Sequence, residues 1–559
     1  ARRMLRLIAR VGAFDEPIIP EERAIDRPEH RVLIRRAAAE GIVLLKNDGI
    51  LPLDTGKLDS IAIIGPNART AQIMGGGSAQ VNAHYRVSPY EGIVAQVGEA
   101  VEIGHELGCT NHRLLPLLDR MEGQGGFTVE YFNSPDLSGE VVWRGESPSA
   151  ELMWFNEVGP GVNAERFSAR LTTRFSVAES GAHQLSLVSA GLSRLFVDGR
   201  LIVDNWDAWQ PGDTYFGSGS QEVIGVADLQ AGQTYDLTIE YAAQTRGALT
   251  IRAVRVGVFR PLDDEAIERA VELAAVSDTA LLFAGLTGEW DTEGQDRPHM
   301  DLVGRQNELI ARVAAANPKT IVVLQTGAPA TMPWLDKVAA VLEAWYPGQE
   351  CGNAIADVLF GEVNPSGKLP QTFPVRLEDN PAYINYPGEN GRVRYGEGIF
   401  VGYRYYDKKK VEPLFPFGFG LSYTSFAYDN LRLSADAIAP DERLTVSVDV
   451  TNTGPRAGQE IVQMYVQDVA SRLARPPKEL KGFAKVALGP GDTTTVTLTI
   501  DKQALAYWDD ARQAWVAEAG EFAALVGSSS QDIRARATCR LAETAVFGGP
   551  AKRQNGDEV

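Results

Sequence analysis

The stretch Thr279-Ala-Leu-Leu-Phe-Ala-Gly285 decides the fold class of this chain, because seven uncharged residues in a row predict a β-strand buried on both faces. Apolar residues at helical spacing precede this stretch from Asp264 to Val276 and follow it from Arg305 to Ala316. A second apolar run, Thr320-Ile-Val-Val-Leu-Gln325, predicts the next strand. Strands that alternate with helices of about 10–15 residues are typical of βαβ units, so the sequence predicts an α/β domain.

The same alternation continues outward in both directions along the chain. The further elements predicted for this domain are a helix at Arg31–Ala39 with the apolar stretch Ile42–Lys46, a strand at Ser60–Gly65, a strand at Ala340–Tyr346 and a helix at Asn353–Phe360. These elements fall into two separated parts of the chain, residues 28–124 and 260–381. We therefore predict one α/β sandwich domain that is interrupted.

The interruption, residues 125–259, has the composition of an all-β module. Asp198-Gly199 lies between two arms of alternating apolar residues, which is the strongest short signal for a β-hairpin. Period-two alternation also marks residues 431–545 as a second β-sandwich. Between the α/β domain and this sandwich lies an aromatic-rich connecting segment, residues 382–430, which we expect to be laid across the α/β domain. The predicted fold class is thus α/β plus all-β, with an inserted β-sandwich and a C-terminal β-sandwich.

Composition excludes several classes of function. The chain has 559 residues, with 54 Lys and Arg against 73 Asp and Glu, so the formal charge is 54 − 73 = −19. An acidic excess repels phosphate backbones, so we predict no nucleic-acid partner. No apolar stretch reaches the roughly 18 residues that a membrane-spanning helix needs, so we predict no membrane crossing. The three cysteines, Cys109, Cys351 and Cys539, are too scattered for a disulfide framework and are expected to pack in the core.

Two loops are candidates for chemistry, because ligands of an open α/β sheet bind outside the carboxyl ends of its strands. The segment Gly75-Gly-Gly-Ser-Ala79 follows the predicted strand 60–65, and a plain flexible turn is the competing interpretation of it. The loop Leu286–Arg297 follows strand 279–285, and three of its carboxylates, Glu289, Asp291 and Glu293, lie close to Trp290 in the sequence. An aromatic wall beside carboxylates suits a sugar, and we expect it to raise a carboxyl pKa by desolvation. The competing interpretation is an exposed acidic loop with a surface tryptophan.

The sequence shows no pattern typical of a metal site or of a serine nucleophile. The six histidines show no spacing typical of metal ligands, so we predict no metal site and no cofactor. No Gly-x-Ser-x-Gly nucleophile elbow is present.

Motifs spread over the chain carry a family resemblance. They are Arg36–Leu53, Ile64-Gly-Pro-Asn67, Glu289–Arg297, Tyr346-Pro-Gly-Gln-Glu350, Gly361–Pro370, Tyr395–Tyr406 and Pro416–Tyr423. In these segments the chain resembles the C-terminal part of glycoside hydrolase family 3, the β-glucosidase family. The insert is similar to the protective-antigen-type β-sandwich of some members, and the C-terminal sandwich looks like the family's fibronectin type III-like domain.

The resemblance implies a retaining, exo-acting β-glycosidase that hydrolyses terminal β-D-glucosyl residues of a glucoside or β-linked oligosaccharide. The family's acid/base glutamate stands in a Glu-Gly-x-Asp-Arg context, which implies Glu293 here, with Glu289 as the competing choice. Trp290 and Asp291 would then shape the wall of the pocket together with Glu289. Ser78, on the glycine-rich loop, would approach the substrate.

The resemblance also implies a partner. The family's nucleophilic aspartate lies on an N-terminal (β/α)8 barrel that these 559 residues do not contain, and residues 1–27 look like the last barrel helix and linker. We therefore expect the barrel as a further segment or a separate chain. An insert of this type could also mediate a homodimer. The alternative is a non-catalytic carbohydrate-binding or scaffold protein without the barrel, and the sequence assigns no cellular compartment. Residues 546–559 are predicted to be a C-terminal tail.

Overall fold

The computed structural model of the protein describes residues 1–17, 23–118, 126–155, 157–244 and 251–548. The predicted domain boundary between residues 124 and 125 lies outside the described residues. Residues 549–559, most of the predicted tail, also lie outside them.

A six-stranded sheet forms the centre of the α/β domain. Its strands, in spatial order, are Val43–Asn47, Ala340–Glu343, Thr320–Gln325, Thr279–Gly285, Ser60–Ile64 and Glu102–Glu106. All neighbouring pairs are parallel except the first, in which Val43–Asn47 runs antiparallel to Ala340–Glu343. The prediction of a mainly parallel sheet is confirmed, and the two strands 279–285 and 320–325 have the predicted bounds.

Helices cover both faces of this sheet, because alternate side chains of each buried strand point to opposite faces. Leu281 and Phe283 pack in one hydrophobic cluster, and Leu282 packs in another. The first cluster includes side chains of the helices Pro28–Gly41, Pro89–Val97 and Cys351–Leu359, and the second includes side chains of Ala266–Val276 and Gln306–Ala316. The three cysteines are free and buried, as predicted.

One predicted strand is shorter than expected. The strand predicted to run from Ala340 to Tyr346 ends at Glu343, and Trp345 takes a positive φ of 57°. A β-strand cannot continue through this left-handed conformation. Tyr346 therefore lies in the loop that follows the strand, at the same edge of the sheet as the candidate loops.

The described residues between 127 and 259 form two antiparallel sheets that share one hydrophobic core. We call this part the two-sheet unit. The first sheet contains Phe127–Phe132, Trp143–Ser147, Ser168–Ser176, Leu192–Val197, Arg200–Asn205 and Thr234–Ala242, and the second contains Glu151–Trp154, Gly181–Ala190, Val223–Leu229 and Arg252–Phe259. The predicted hairpin at Asp198-Gly199 is confirmed, since both residues have a positive φ and join two antiparallel strands.

The C-terminal part is all-β around a core of its own. Its strands are Phe426–Leu433, Ala437–Ile438, Leu444–Asn452, Gly458–Asp468, Glu479–Leu488, Thr493–Ile500, Tyr507–Asp509, Ala514–Ala517, Gly520–Gly527, Ile533–Leu541 and Ala545–Phe547, with a short helix at Lys502–Leu505. The connecting segment contains the helix Tyr403–Lys409. It lies on the α/β domain as predicted, since Leu421 N donates to Leu44 O and Tyr423 Oη donates to Val358 O.

The opening helix Arg2–Arg10 has no buried residue, and its apolar side chains Met4 and Leu5 are more than half exposed. Among the described residues, none of the helices is both long enough and apolar enough to span a membrane.

Candidate active site

Loops from four neighbouring parallel strands converge at one edge of the central sheet. Ser78 follows strand 60–64, Glu293 follows strand 279–285, Gly327 follows strand 320–325 and Tyr346 follows strand 340–343. Because parallel strands end at the same edge, residues far apart in the sequence meet there. The candidate site lies at this edge.

The glycine-rich loop packs directly on the backbone of the acidic loop. Gly76 N donates to Asp291 O over 2.8 Å, and a Cβ atom on Gly76 would lie only 1.9 Å from Gly288 O. Glycine is therefore the residue that this approach permits. The interpretation of residues 75–79 as a plain flexible turn is wrong, since the loop is held against its neighbour.

This contact between the two loops brings Ser78 within hydrogen-bond distance of the Glu293 carboxylate. Ser78 N donates to Glu293 Oε2 over 2.9 Å, and Ser78 Oγ donates to Glu293 Oε1 over 2.6 Å. The two hydrogen bonds lower the pKa of the Glu293 carboxyl, because they stabilise its charged form. We expected desolvation to raise a carboxyl pKa here. That expectation is wrong for Glu293 in this structure, since its side chain is exposed and its hydrogen bonds outweigh burial.

Glu289 lies in a different environment. Its Oε1 is 3.3 Å from Nη2 of Arg255, a side chain that is only 4% exposed. Arg255 belongs to the two-sheet unit and also donates to Leu115 O over 2.8 Å. Glu289 thus compensates a buried positive charge at the junction between the two-sheet unit and the α/β domain.

Trp290 and Asp291 hold the acidic loop in place. Trp290 Nε1 donates to Asn111 O over 2.9 Å. Asp291 Oδ2 accepts a hydrogen bond from Gly327 N over 2.8 Å and another from Tyr346 Oη. These contacts tie the loop to the ends of two further strands.

A cavity of about 890 Å³ opens between this edge and the two-sheet unit. Ser78, Glu289 and Glu293 line one wall of it, whereas Trp290 and Asp291 lie outside its lining. The two-sheet unit lines another part of the cavity with a mixture of apolar or aromatic side chains and charged ones, which are Met153, Phe155, Tyr215, Phe216, Glu151, Asp213 and Arg255. The size of the cavity suits a ligand as large as a sugar with a substituent.

Sequence reasoning missed a fully buried carboxyl beneath the loops. Glu343 accepts hydrogen bonds from Thr326 N, Thr326 Oγ1 and Trp345 N. Burial raises the pKa of Glu343 to about 8, against the opposing effect of these hydrogen bonds. Its position inside the apolar run Ala340–Tyr346 was the only available signal. In the part of the chain that the structure describes, no group of three or more His, Cys, Asp or Glu side chains is arranged to hold a metal ion.

The close approach of the two loops leads to a testable prediction about Gly76. Gly76→Ala is expected to force the loops apart, because its Cβ would overlap Gly288 O. Overpacking of this kind typically costs about 1–3 kcal/mol of unfolding free energy, which urea denaturation measures. Gly41→Ala is the matched control, since its Cβ would meet nothing within 4 Å. Equal stability of the two variants would contradict this description of the loop contact.

Comparison with known proteins gives consistent matches over most of the chain. Residues 42–423 match the model of the glycosyl hydrolase family 3 C-terminal domain, and residues 460–530 match a fibronectin type III-like domain. A β-glucosidase of Rhizobium radiobacter is 49% identical over 547 residues, which are 97% of this chain and 66% of the relative. A probable β-glucosidase I of Aspergillus clavatus is 43% identical over 559 residues, with 95% of this chain and 66% of the relative covered.

Among solved structures, that of a β-glucosidase from Kluyveromyces marxianus in complex with glucose superposes with a TM-score of 0.90 at 37% identity. The match covers 98% of this chain and 67% of the other. The chain thus spans 66% of the length of these two curated relatives, slightly less than two thirds.

Proposed function

The chain belongs to glycoside hydrolase family 3, and from this membership we propose that it hydrolyses terminal β-D-glucosyl residues with retention, using Glu293 as the general acid/base. The observation that carries the proposal is the position of Glu293. Its carboxylate lines the large cavity at the carboxyl edge of the sheet and is held there by Ser78. The names of the relatives, which are β-glucosidases, support the sugar and the linkage.

In the proposed reaction Glu293 acts twice. It first gives its proton to the glycosidic oxygen as the bond from that oxygen to the anomeric carbon breaks, while a second carboxylate bonds to the anomeric carbon. Glu293 then takes a proton from water, whose oxygen attacks the anomeric carbon and releases the second carboxylate. Retention requires the two carboxyl groups to lie about 5–5.5 Å apart.

We propose that the second carboxylate is an aspartate on a (β/α)8 barrel outside these 559 residues. The greater length of the relatives supports this, since the chain spans only 66% of them. The contacts of Glu289 and Asp291 also support this proposal, because both carboxylates are already engaged by other groups of the protein. Glu289 is paired with Arg255, and Asp291 accepts two hydrogen bonds from the neighbouring loops.

We choose Glu293 over Glu289 as the acid/base because Glu289 is paired with Arg255, whereas Glu293 is hydrogen-bonded to Ser78. A general acid/base must be free to exchange a proton with substrate, and Glu293 bonds only a hydroxyl and an amide at an exposed position. The hydrogen bonds from Ser78 favour the carboxylate form of Glu293. This form suits the second step, in which Glu293 accepts a proton. For the first step, we propose that a bound sugar and the barrel exclude water and thereby raise the pKa of Glu293.

We also propose that the two-sheet unit is a protective-antigen-type insert that limits substrate length. Phe155 and Phe216 line the same cavity as Glu293 and remain more than half exposed. Phe155→Ala is expected to raise KM for an aryl β-glucoside several-fold with little change in kcat, because it removes binding surface common to ground and transition states. An unchanged KM for both aryl glucosides and cellobiose would contradict this role.

The stereochemistry of the product tests the proposed function. A polypeptide that contains these residues and the preceding segment of its relatives is given an aryl β-D-glucoside, and proton NMR follows the first glucose released. We expect the β-anomer to form first. The α-anomer would contradict retention. Binding of glucose without hydrolysis would favour the alternative of a non-catalytic sugar-binding protein.

A further inference from the structure

The segment Glu293-Gly-Gln295 is held from two sides. Ser78 donates two hydrogen bonds to the carboxylate from the side of the α/β domain. From the other side, Gln295 Nε2 donates to Asp213 O over 3.0 Å. The ring of Phe216 also covers Gly294, since a Cβ atom on Gly294 would lie 2.9 Å from Phe216 Cδ1. Asp213 and Phe216 belong to one loop of the two-sheet unit, residues 213–217, which we call the tip.

The tip has an unusual backbone conformation that its surroundings hold in place. Tyr215 and Phe216 have positive φ values of 51° and 56°, which non-glycine residues rarely adopt in succession. Contacts with residues outside the acidic loop, Leu286–Arg297, maintain the conformation of the tip. Tyr215 Oη donates to Glu151 Oε1 over 2.8 Å, and Asp213 forms an ion pair with Arg113. Strain of this kind persists only where the surroundings hold it, and it concentrates at functional sites.

Without the contacts from Ser78 and the tip, little would hold Glu293 in place. Its side chain is exposed, and Gly294, which follows it, takes a φ of 75°. An exposed glutamate on a loop samples several rotamers. A proton donor must nevertheless stay within hydrogen-bond reach of the leaving-group oxygen, and a displacement of about 1 Å can cost about 100-fold in rate.

We propose that Ser78 and the tip form a two-sided clamp that positions Glu293 for proton transfer. Ser78 fixes the carboxylate, and the tip fixes the two residues that follow it. The two-sheet unit is then a positioning element for catalysis as well as a wall of the cavity. This inference rests on the proposed function, because it requires Glu293 to be the acid/base.

A clamp on a general acid has a characteristic kinetic signature. Proton donation matters when the leaving group is a poor one, such as an alkoxide, and matters little for 2,4-dinitrophenolate, which departs unprotonated. A variant that only lost substrate binding would slow both substrates alike. The ratio of the two rates therefore reports the position of the proton donor.

The test compares the variants Ser78→Ala and Gln295→Ala with the parent. All three are made in the longer polypeptide, which contains these residues and the preceding segment of the relatives. Each variant is expected to lower kcat/KM for methyl β-D-glucoside about 10- to 100-fold, and for 2,4-dinitrophenyl β-D-glucoside less than about 3-fold. Ser78→Thr keeps the hydroxyl and the amide and is expected to restore most of the activity. Gln531→Ala, in the C-terminal β-sheet part, is the matched control for the glutamine and is expected to behave as the parent does.

Two further readouts separate the two sides of the clamp. Loss of the Ser78 hydroxyl removes a donor to the carboxylate, so the basic limb of the pH profile should move upward in Ser78→Ala. Gln295→Ala leaves both donors from Ser78 in place and should not move it. Hydrogen exchange of the peptide that covers residues 288–297, followed by mass spectrometry, should become faster in both variants.

The clamp and the proposed function fail in distinguishable ways. If Glu293→Gln slows both glucosides equally, Glu293 is not the acid and the proposed function is wrong. If Glu293→Gln selectively slows methyl glucoside but Ser78→Ala and Gln295→Ala do not, the clamp is wrong and the proposed function stands. Unchanged hydrogen exchange of residues 288–297 in both variants would also overturn the clamp.

Discussion

Glu293→Ala is expected to lower kcat for an alkyl β-D-glucoside by about 10²- to 10⁴-fold, because general acid/base assistance contributes about that much. Sodium azide is expected to restore turnover of an activated aryl glucoside. Azide is a nucleophile that needs no base, so it can replace water at the glycosyl-enzyme once the base is gone. The product should be β-D-glucosyl azide, which thin-layer chromatography and mass spectrometry identify.

The matched control for this experiment is Glu289→Ala. Glu289 is paired with Arg255, so its removal should leave a buried cation unpaired and reduce stability. It should yield no glucosyl azide. If azide trapping occurs in Glu289→Ala and not in Glu293→Ala, the acid/base role passes to Glu289. An activity of Glu293→Gln equal to that of the parent would remove the role from Glu293 altogether.

Burial of Glu343 is expected to make the stability of the α/β domain depend on pH. Its pKa is about 8 in the folded protein, against 4.5 for an ordinary glutamate, because the carboxyl is fully buried. Above pH 4.5 the unfolded chain releases this proton while the folded chain keeps it. The contribution of Glu343 to stability is therefore complete below about pH 4.5 and is lost as the pH rises to about 8.

Glu343→Gln is expected to remove this dependence. The amide keeps an acceptor for Thr326 N and Trp345 N and offers a donor to Thr326 Oγ1. The unfolding free energy of the parent should fall relative to the variant by up to about 1.4 kcal/mol per pH unit between pH 5 and 8. Urea denaturation at several pH values measures this difference.

Glu268→Gln serves as the control for that series. Glu268 is exposed and its pKa is lowered by its hydrogen bonds with Arg312, so its contribution is present above the unfolded pKa and is lost only in acid. The curves of this variant and the parent should run parallel between pH 5 and 8. If Glu343→Gln also ran parallel to the parent, Glu343 would be ionised in the folded protein at neutral pH.

Much of the secondary structure was predictable from local patterns. The uncharged run Thr279–Gly285 became a buried strand with the predicted bounds, and Asp198-Gly199 became a hairpin turn. Both signals are short-range, since side-chain periodicity and tolerance of positive φ are properties of a few neighbouring residues. The strand predicted at 340–346 failed at its end, where Trp345 takes a left-handed conformation that no local pattern announced.

The sequence by itself determined where the candidate loops would lie, because strands of one parallel sheet must end at a common edge. Its motifs also singled out Glu293 and Glu289 as alternatives. Only the tertiary structure decided what each carboxylate touches: Ser78 for Glu293, Arg255 for Glu289, and Tyr346 for Asp291. It also reversed the expected direction of the Glu293 pKa shift. A pKa depends on atoms within a few ångströms, and here those atoms belong to residues up to 215 positions apart, which packing alone brings together.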